Sequence, residues 1–493
     1  FALTYLKINM EAIILKLLVP DGDVIKQGTQ ELTNFMKTPE GIPQLCNCLA
    51  SSQNVQVRQY ASLLLRKRFG KRKAWMKLPI NDRQVVKQGC LQALTTEPEK
   101  SVRHAIGQLV AVLAKHELSK SKDWPELFSF LESCYTQGNV EHFQLGIYCI
   151  SALSETAGSN LVKGKLRIVA PYVIKALSAE CGDLDSSYYA VQAVTHLITH
   201  VGSEQTSDFR PFLQHAIETI KRLISAASSG VCNAEDKACE AMDLFDELFE
   251  SEHAALVGTY VKPIVELCIA AAATSSLDDA VRVKAITFLG RIAKLKKKAM
   301  IKTKLYINMI DCLFPILCAP SNELDGDDSD DEDDPENPES KTPPSAASQA
   351  LDVLALNLPP DKFMTALLKH VEPALLSNDA GQLKAAYYAL AVTAEGCSEH
   401  IRNKLGLDKF LQAIGNGIRD ENHPQARNAA LYALGQFSEY LQPEISEYAG
   451  QILPVLFSYL DSTMAAVHSQ GDQGKDPAGL DRIFYALEVF SEN

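Results

Sequence analysis

The chain is predicted to be all-α, a right-handed superhelix built from stacked helix pairs, and three observations carry that reading. It repeats itself about every 40–45 residues. Val57-Arg58-Gln59-Tyr60-Ala61-Ser62-Leu63-Leu64-Leu65, Val102-Arg103-His104-Ala105-Ile106-Gly107-Gln108-Leu109, Val281-Arg282-Val283-Lys284-Ala285-Ile286-Thr287-Phe288-Leu289 and Ala426-Arg427-Asn428-Ala429-Ala430-Leu431-Tyr432-Ala433-Leu434 share one pattern. Each sets an early Arg, small residues one turn on, then aliphatics at helical spacing. Apolar residues recur at three and four positions through nearly every segment, with no sustained period-2 stretch. Small residues at a fixed point let the neighbouring helix approach closely, which stacking needs in every copy. A period of this size made of two helices is the signature of HEAT or armadillo arrays, which bind partners and seldom do chemistry.

The elements follow in order. An opening pair, Met10–Val19 and Asp23–Lys37, makes residues 10–37 the first repeat. The outer helices that follow are Gly41–Ser52, Arg83–Thr95, Asp123–Tyr135, Lys165–Ala179, Arg210–Ala227, Tyr260–Ala273, Lys304–Ala319, Lys362–Ser377, Leu407–Asp420 and Tyr448–Asp461. Their inner partners begin near Gln53, Glu99, Val140, Leu184, Ala234, Asp279, Ser345, Ala380, Pro424 and Gly479. Several open with a capping residue such as Asn54, Asp185 or Asp279. About ten complete repeats and part of an eleventh result. Residues 38–321 hold repeats two to seven and the first helix of the eighth. Residues 322–345 are an acidic insertion, and residues 346–493 hold the remainder. A second insertion, His468–Gly479, divides the last pair. The final inner helix is followed by no polar cap, which predicts the front portion of a longer protein. Met10 opens a better helix than residues 1–9, which read as a tag or an over-extended start.

Composition narrows the class. At 493 residues, 46% hydrophobic and 22% charged, the chain is a folded protein too long for one ordinary core, and a solenoid has no such size ceiling. No run is apolar enough for a membrane helix, and the start lacks the features of a secretory signal. The twelve cysteines include no Cys-x-x-Cys pair and sit on apolar helical faces, as expected of buried free thiols in the cytosol or nucleus. Net charge is -13, and Glu323 to Glu339 holds eleven acidic and no basic residues, so the remainder is nearly neutral. That stretch is too poor in apolar side chains to offset its ordering entropy and is expected to be disordered when unbound.

Enzyme signals are weak. His196 and His200 stand at i, i+4 without the Glu of the metalloprotease pattern and read as a core-edge pair. Gly415-Asn416-Gly417 reads as a helix C-cap, not a dinucleotide loop. With no P-loop and no Gly-x-Ser-x-Gly, the expectation is no enzyme, no cofactor and no metal. Glu235, Asp236, Glu240, Asp243, Asp246 and Glu247 lie along one inner helix, as a solvated face or a concave acidic surface. Two basic clusters stand out: Arg66, Lys67, Arg68, Lys71, Arg72, Lys73, and Lys294, Lys296, Lys297, Lys298, Lys302, Lys304. A net acidic chain without aromatics among its basic residues is not expected to bind nucleic acid.

The second repeat, Val57 to Arg68 followed by Trp75, resembles the N-terminal domain of importin-β-type nuclear transport receptors, here residues 28–94. Lys237 to Glu252 and Arg427 to Pro443 resemble the sixth and tenth repeats of that family, and the acidic insertion falls in the eighth pair, where its members commonly carry an acidic loop. The resemblance implies a receptor moving between cytoplasm and nucleus through the nuclear pore. It would carry basic cargo such as histones and ribosomal proteins, contact phenylalanine-glycine nucleoporins, and release cargo on binding the GTPase Ran loaded with GTP. It implies Ran contacts on the N-terminal inner helices, for which Arg58, Arg66, Lys67 and Arg103 are the candidates. Asp327, Asp328, Asp330, Asp331, Glu332, Asp333 and Asp334 are the candidate contacts of the acidic loop to Ran or cargo. The competing readings are a HEAT scaffold of phosphatase or chromatin-complex type and an importin-α-type armadillo adaptor. The latter's repeated inner Trp is missing, since only Trp75 and Trp124 occur.

Overall fold

The computed structural model describes residues 9–118, 123–250, 254–320, 342–470 and 477–491. No strand occurs among them, and the helices follow one another as outer and inner members of successive pairs. The chain divides into two units, Phe1–Arg222 and Leu223–Asn493.

The first unit opens with α1 (Met10–Leu17) and α2 (Gly22–Phe35), then α3 (Gly41–Ser51) with α4 (Val55–Phe69), and a short α5 (Arg72–Met76). Next come α6 (Ile80–Thr96) with α7 (Lys100–Glu117), α8 (Pro125–Thr136) with α9 (Val140–Gly164), and α10 (Leu166–Leu177) with α11 (Leu184–Ile198). The unit closes within α12 (Thr206–Ser228). The inner helices α4, α7, α9 and α11 pack on one another in sequence. Ala61 (0% exposed) and Ala105 (7%) are buried as the repeat pattern requires. Asn54 caps α4 through its side chain, as expected, whereas α11 is capped by Asp183. Asp185 instead binds Lys100 of α7 at 2.6 Å.

In two of the repeats the early Arg proves to be a staple. Arg58 forms a bidentate pair with Glu97 (2.8 Å) ahead of the next inner helix and donates to the Ser52 carbonyl (2.9 Å). Arg282 donates to the Ala272 carbonyl at 3.2 Å, closing its own pair. In the turn around α5, buried Trp75 donates to Glu117 (2.7 Å), whose carboxylate also faces Arg83 and Lys87 at 3.6 Å. Lys87 in turn lies over the Trp124 ring. One buried carboxylate therefore ties α5, α6 and α7 together.

In the second unit the acidic inner helix is broken at Met242 into α13 (Ala234–Ala241) and α14 (Asp243–Glu250). It is followed by α15 (Ala254–Ala273) with α16 (Asp279–Leu295), a seven-residue α17 (Lys297–Thr303), and α18 (Leu305–Leu317) with α19 (Pro343–Asn357). Next stand α20 (Pro360–Leu375) with α21 (Ala380–Ala391), which resumes past Val392 as α22 (Thr393–His400). The chain continues with α23 (Leu407–Ile418), α24 (Pro424–Tyr440), α25 (Ala449–Gln470) and α26 (Pro477–Ser491). The helix α19 begins two residues ahead of the expected Ser345, because Thr342 caps it and proline suits its first turn. Asp278, not Asp279, caps α16. Ala285 and Ala429 are both fully buried.

Gly417 is not a capping glycine. It lies in the last turn of α23 with ordinary helical geometry, and a Cβ there would stand 2.4 Å from the Tyr387 ring. The glycine serves packing. His200 likewise lies against Gly158 of α9, and among the described residues no group of His, Cys, Asp and Glu is arranged to hold a metal ion. All twelve cysteines are free thiols, and burial pushes those of Cys90, Cys149 and Cys268 far up. Among the described residues no helix is long and apolar enough to cross a membrane.

Candidate functional site

In the second unit, three inner helices each bring one carboxylate to a shared face: Asp352 from α19, Glu395 from α22 and Glu439 from α24. Two glycines make the arrangement possible. A Cβ on Gly396 would lie 2.5 Å from the Ala355 carbonyl group, so only glycine lets α22 rest on the backbone of α19 with Glu395 beside Asp352. A Cβ on Gly435 would lie 2.4 Å from the Tyr485 ring, so Tyr485 of α26 lies flat over α24. Its hydroxyl then donates to Glu439 (2.6 Å) and accepts from Gln436 (3.1 Å).

The electrostatics of this face are unbalanced. Burial, and then the charge of Glu395, push the Asp352 carboxyl above the usual carboxylate range. Burial and the same carboxylates push the Tyr440 hydroxyl up, and that hydroxyl bonds to Glu395. None of Asp352, Glu395 and Glu439 has an ion-pair partner among the described residues. Beside them Tyr388 and Tyr432 stand 5.7 Å apart, with the Arg482 guanidinium 5.7 Å from each ring and donating to the Tyr388 hydroxyl at 2.8 Å. Carboxylates held close together without a cation, next to aromatic faces that already accept one guanidinium, form a surface suited to the Lys and Arg of an extended segment.

The acidic set of α13 and α14 is different. Lys284 reaches Asp243 at 2.5 Å, Arg291 reaches Asp246 at 3.2 Å, and Arg291 also pairs with Glu250. The sixth repeat's acids are therefore in part neutralised by α16, and neither a free acidic surface nor a merely solvated face describes them.

The residues expected to meet Ran fall into two groups. Arg66 donates to Gln108, and Arg66 and Lys67 line one open groove of about 520 Å³ with Leu63, Gly70, Gln108 and Glu155, on α4, α7 and α9. Arg58 and Arg103 stand elsewhere, Arg58 on Glu97 and Arg103 within 3.7 Å of Glu141. Next to them His104 stacks on Tyr148 (3.8 Å between centroids), with Tyr189 edge-on to both. Burial, then Lys100 and Arg103, push the His104 imidazole down to about 4. The acidic-loop candidates Asp327, Asp328, Asp330, Asp331, Glu332, Asp333 and Asp334 lie outside the described residues.

Sequence reasoning missed Asp352, Glu395, Glu439, Tyr388, Tyr432 and Tyr485. A signal was present: the acids recur one per repeat, and so do Tyr388 and Tyr432. No helix carries more than one member of the acid row, however, and only the stacking reveals it.

Against known proteins, residues 28–96 match the importin-β N-terminal domain and residues 98–267 match the IPO5-like TPR repeats. Human importin-4 is 32% identical over 464 residues, covering 92% of this chain and 41% of importin-4. The probable importin subunit beta-4 of Schizosaccharomyces pombe is 23% identical over 456 residues, covering 92% of this chain and 40% of its own length. The chain thus spans about two fifths of the relatives it matches. Crystal structures of Kap121p bound to RanGTP and to Pho4p both superpose with a TM-score of 0.77 at 18% identity, covering 98% and 97% of this chain and 44% of theirs. That likeness establishes the helical-repeat solenoid fold. Domain match, identity and fold agree: the chain belongs to the importin-β family.

Proposed function

We propose that this chain is the cargo- and Ran-binding part of a nuclear import receptor. It takes basic segments such as those of histones and ribosomal proteins in the cytoplasm and yields them to Ran-GTP in the nucleus. The observation that carries the reading is the row Asp352, Glu395 and Glu439, held together by Gly396 and Gly435 without a cation. A cargo lysine placed there relieves the repulsion between Asp352 and Glu395, so the site favours cations before any other contact forms. Kap121p has been crystallised with RanGTP, with Pho4p and with Nup53p, which supports the same three classes of partner here.

The first unit is the Ran-binding part on this reading. Arg66 and Lys67 in the α4–α7–α9 groove make the direct contacts, while Arg58 and Arg103 hold the repeats that present them. The acidic run Asp327–Asp334 adds a screened attraction for basic residues of Ran or cargo. Phenylalanine-glycine nucleoporins would use the apolar cavity of about 200 Å³ lined by Leu368, Val371, Leu375, Leu405 and Phe410, which suits one phenyl ring. The test is calorimetric titration of a histone H3 tail peptide into the chain and into D352N/E395Q/E439Q. Loss of roughly 30- to 100-fold in affinity at low salt is expected, at up to about 1 kcal/mol per carboxylate. Unchanged affinity would remove cargo from this face.

A further inference from the structure

We propose that the corner between α16 and α18 is a separate docking site for an acidic polypeptide segment. Six lysines crowd this corner: Lys294 in the last turn of α16, Lys296 between helices, Lys297, Lys298 and Lys302 on α17, and Lys304 before α18. The intervening helix has only seven residues, about 10 Å of rise, so all six fall within the reach of one short peptide. All but the half-buried Lys296 are exposed, and none has a carboxylate partner among the described residues.

The contrast with the preceding turns of α16 is sharp. There the basic residues Lys284 and Arg291 are both engaged by Asp243, Asp246 and Glu250. Among the described residues no carboxylate neutralises the corner itself. Its backbone adds a second observation. Lys304 is held at φ 56°, in the left-handed region where Gly or Asn would sit at lower cost. Lys304 closes α17 as its left-handed cap, with its N–H donating to the Ile301 carbonyl, and turns the chain into α18 with its side chain exposed.

The chemistry of the patch selects the ligand. It is built from lysines alone, flexible point charges suited to spaced carboxylates, without the arginine forks that favour phosphate. No exposed aromatic lies among the six to stack a nucleobase, and the apolar residue offered is Leu295, 40% exposed. An Asp/Glu-rich polypeptide with an occasional aliphatic side chain satisfies both features. The site does not depend on the carboxylate row of the same unit and makes no use of Ran.

The experiment is fluorescence anisotropy with a labelled sixteen-residue Asp/Glu co-polypeptide, titrated with the whole chain at about 50 mM and about 300 mM salt, where the Debye length falls from about 14 to about 6 Å. The variant K297Q/K298Q/K302Q/K304Q is compared with the equally discharged control K26Q/K37Q/K163Q/K221Q. Expected is about tenfold weaker binding for the corner variant, near-native binding for the control, and loss of the difference at the higher salt. Circular dichroism melting checks that both variants fold; if the corner variant does not, K297E/K298E replaces it. The proposal is overturned if both variants bind alike, or if neutralising Lys67, Arg68, Lys71, Arg72 and Lys73 abolishes binding instead. It is equally overturned if oligo-dT or inositol hexakisphosphate competes better than the acidic polypeptide at equal charge.

Discussion

At the scale of single residues, the function proposed for the carboxylate row and its stability oppose each other. The Asp352 carboxyl is raised in the folded chain, so the unfolded chain gives up its proton first and stability falls as pH rises from the ordinary carboxylate range to the folded value. D352N removes that penalty. It is expected to raise the urea midpoint slightly at pH 7 while weakening binding of a basic peptide. A variant that loses both, or neither, would show Asp352 to be an ordinary surface acid. His104 acts in the opposite window. Its imidazole is held down to about 4, so between the unfolded value near 6.5 and the folded one the unfolded state takes up the proton, and stability falls as pH drops. H104F keeps the stack on Tyr148, and its urea midpoint should fall less than that of the parent between pH 6.5 and pH 5. Gly396 is the third residue in this group: G396A drives a Cβ into the Ala355 backbone and should cost about 1–3 kcal/mol in urea unfolding, along with peptide affinity. Neither Asp352 nor Gly396 was legible beforehand, because a lone acid and a lone helical glycine acquire meaning only from the neighbouring repeat.

At the scale of elements the sequence was far more transparent. The helix pairs follow from apolar spacing and caps, since burying one stripe per helix leaves little choice of phase. The breaks were hidden: α13 parts from α14 at Met242, α21 from α22 at Val392, and Ala157 departs from helical geometry inside α9. Only Ala157 has a local sign, the Gly158-Ser159 pair that follows it; at Met242 and Val392 tertiary packing decides where the inner helices bend. Gly415-Asn416-Gly417 misled for the converse reason, its glycine being demanded by Tyr387 and not by a cap. The knot around Glu117 ties three elements at once. E117A leaves the Trp75 N–H, Arg83 and Lys87 without that carboxylate, and is expected to destabilise the first unit by about 3 kcal/mol, read from its chemical unfolding curve. E117Q should recover part of that loss, because the amide oxygen still accepts from the indole.

At the scale of the molecule, the repeat period made the fold class legible from composition and spacing alone, and the resemblance in the second repeat pointed to the family that the 32% identity to human importin-4 establishes. The proposed binding face was less legible, because a solenoid distributes its surfaces over many repeats and no short motif records them. Linkage joins the two ends of the account. If Ran-GTP and cargo favour different arrangements of the repeats, each must weaken the other by the same factor. The central claim is tested most directly by pre-binding a labelled histone H3 tail peptide to the chain and adding Ran in either nucleotide state, with anisotropy as the readout. The account predicts displacement by Ran-GTP, none by Ran-GDP at the same concentration, and a D352N/E395Q/E439Q variant that still binds Ran-GTP but holds no peptide to displace. Equal displacement by both nucleotide states, or peptide retained by the triple variant, would contradict it.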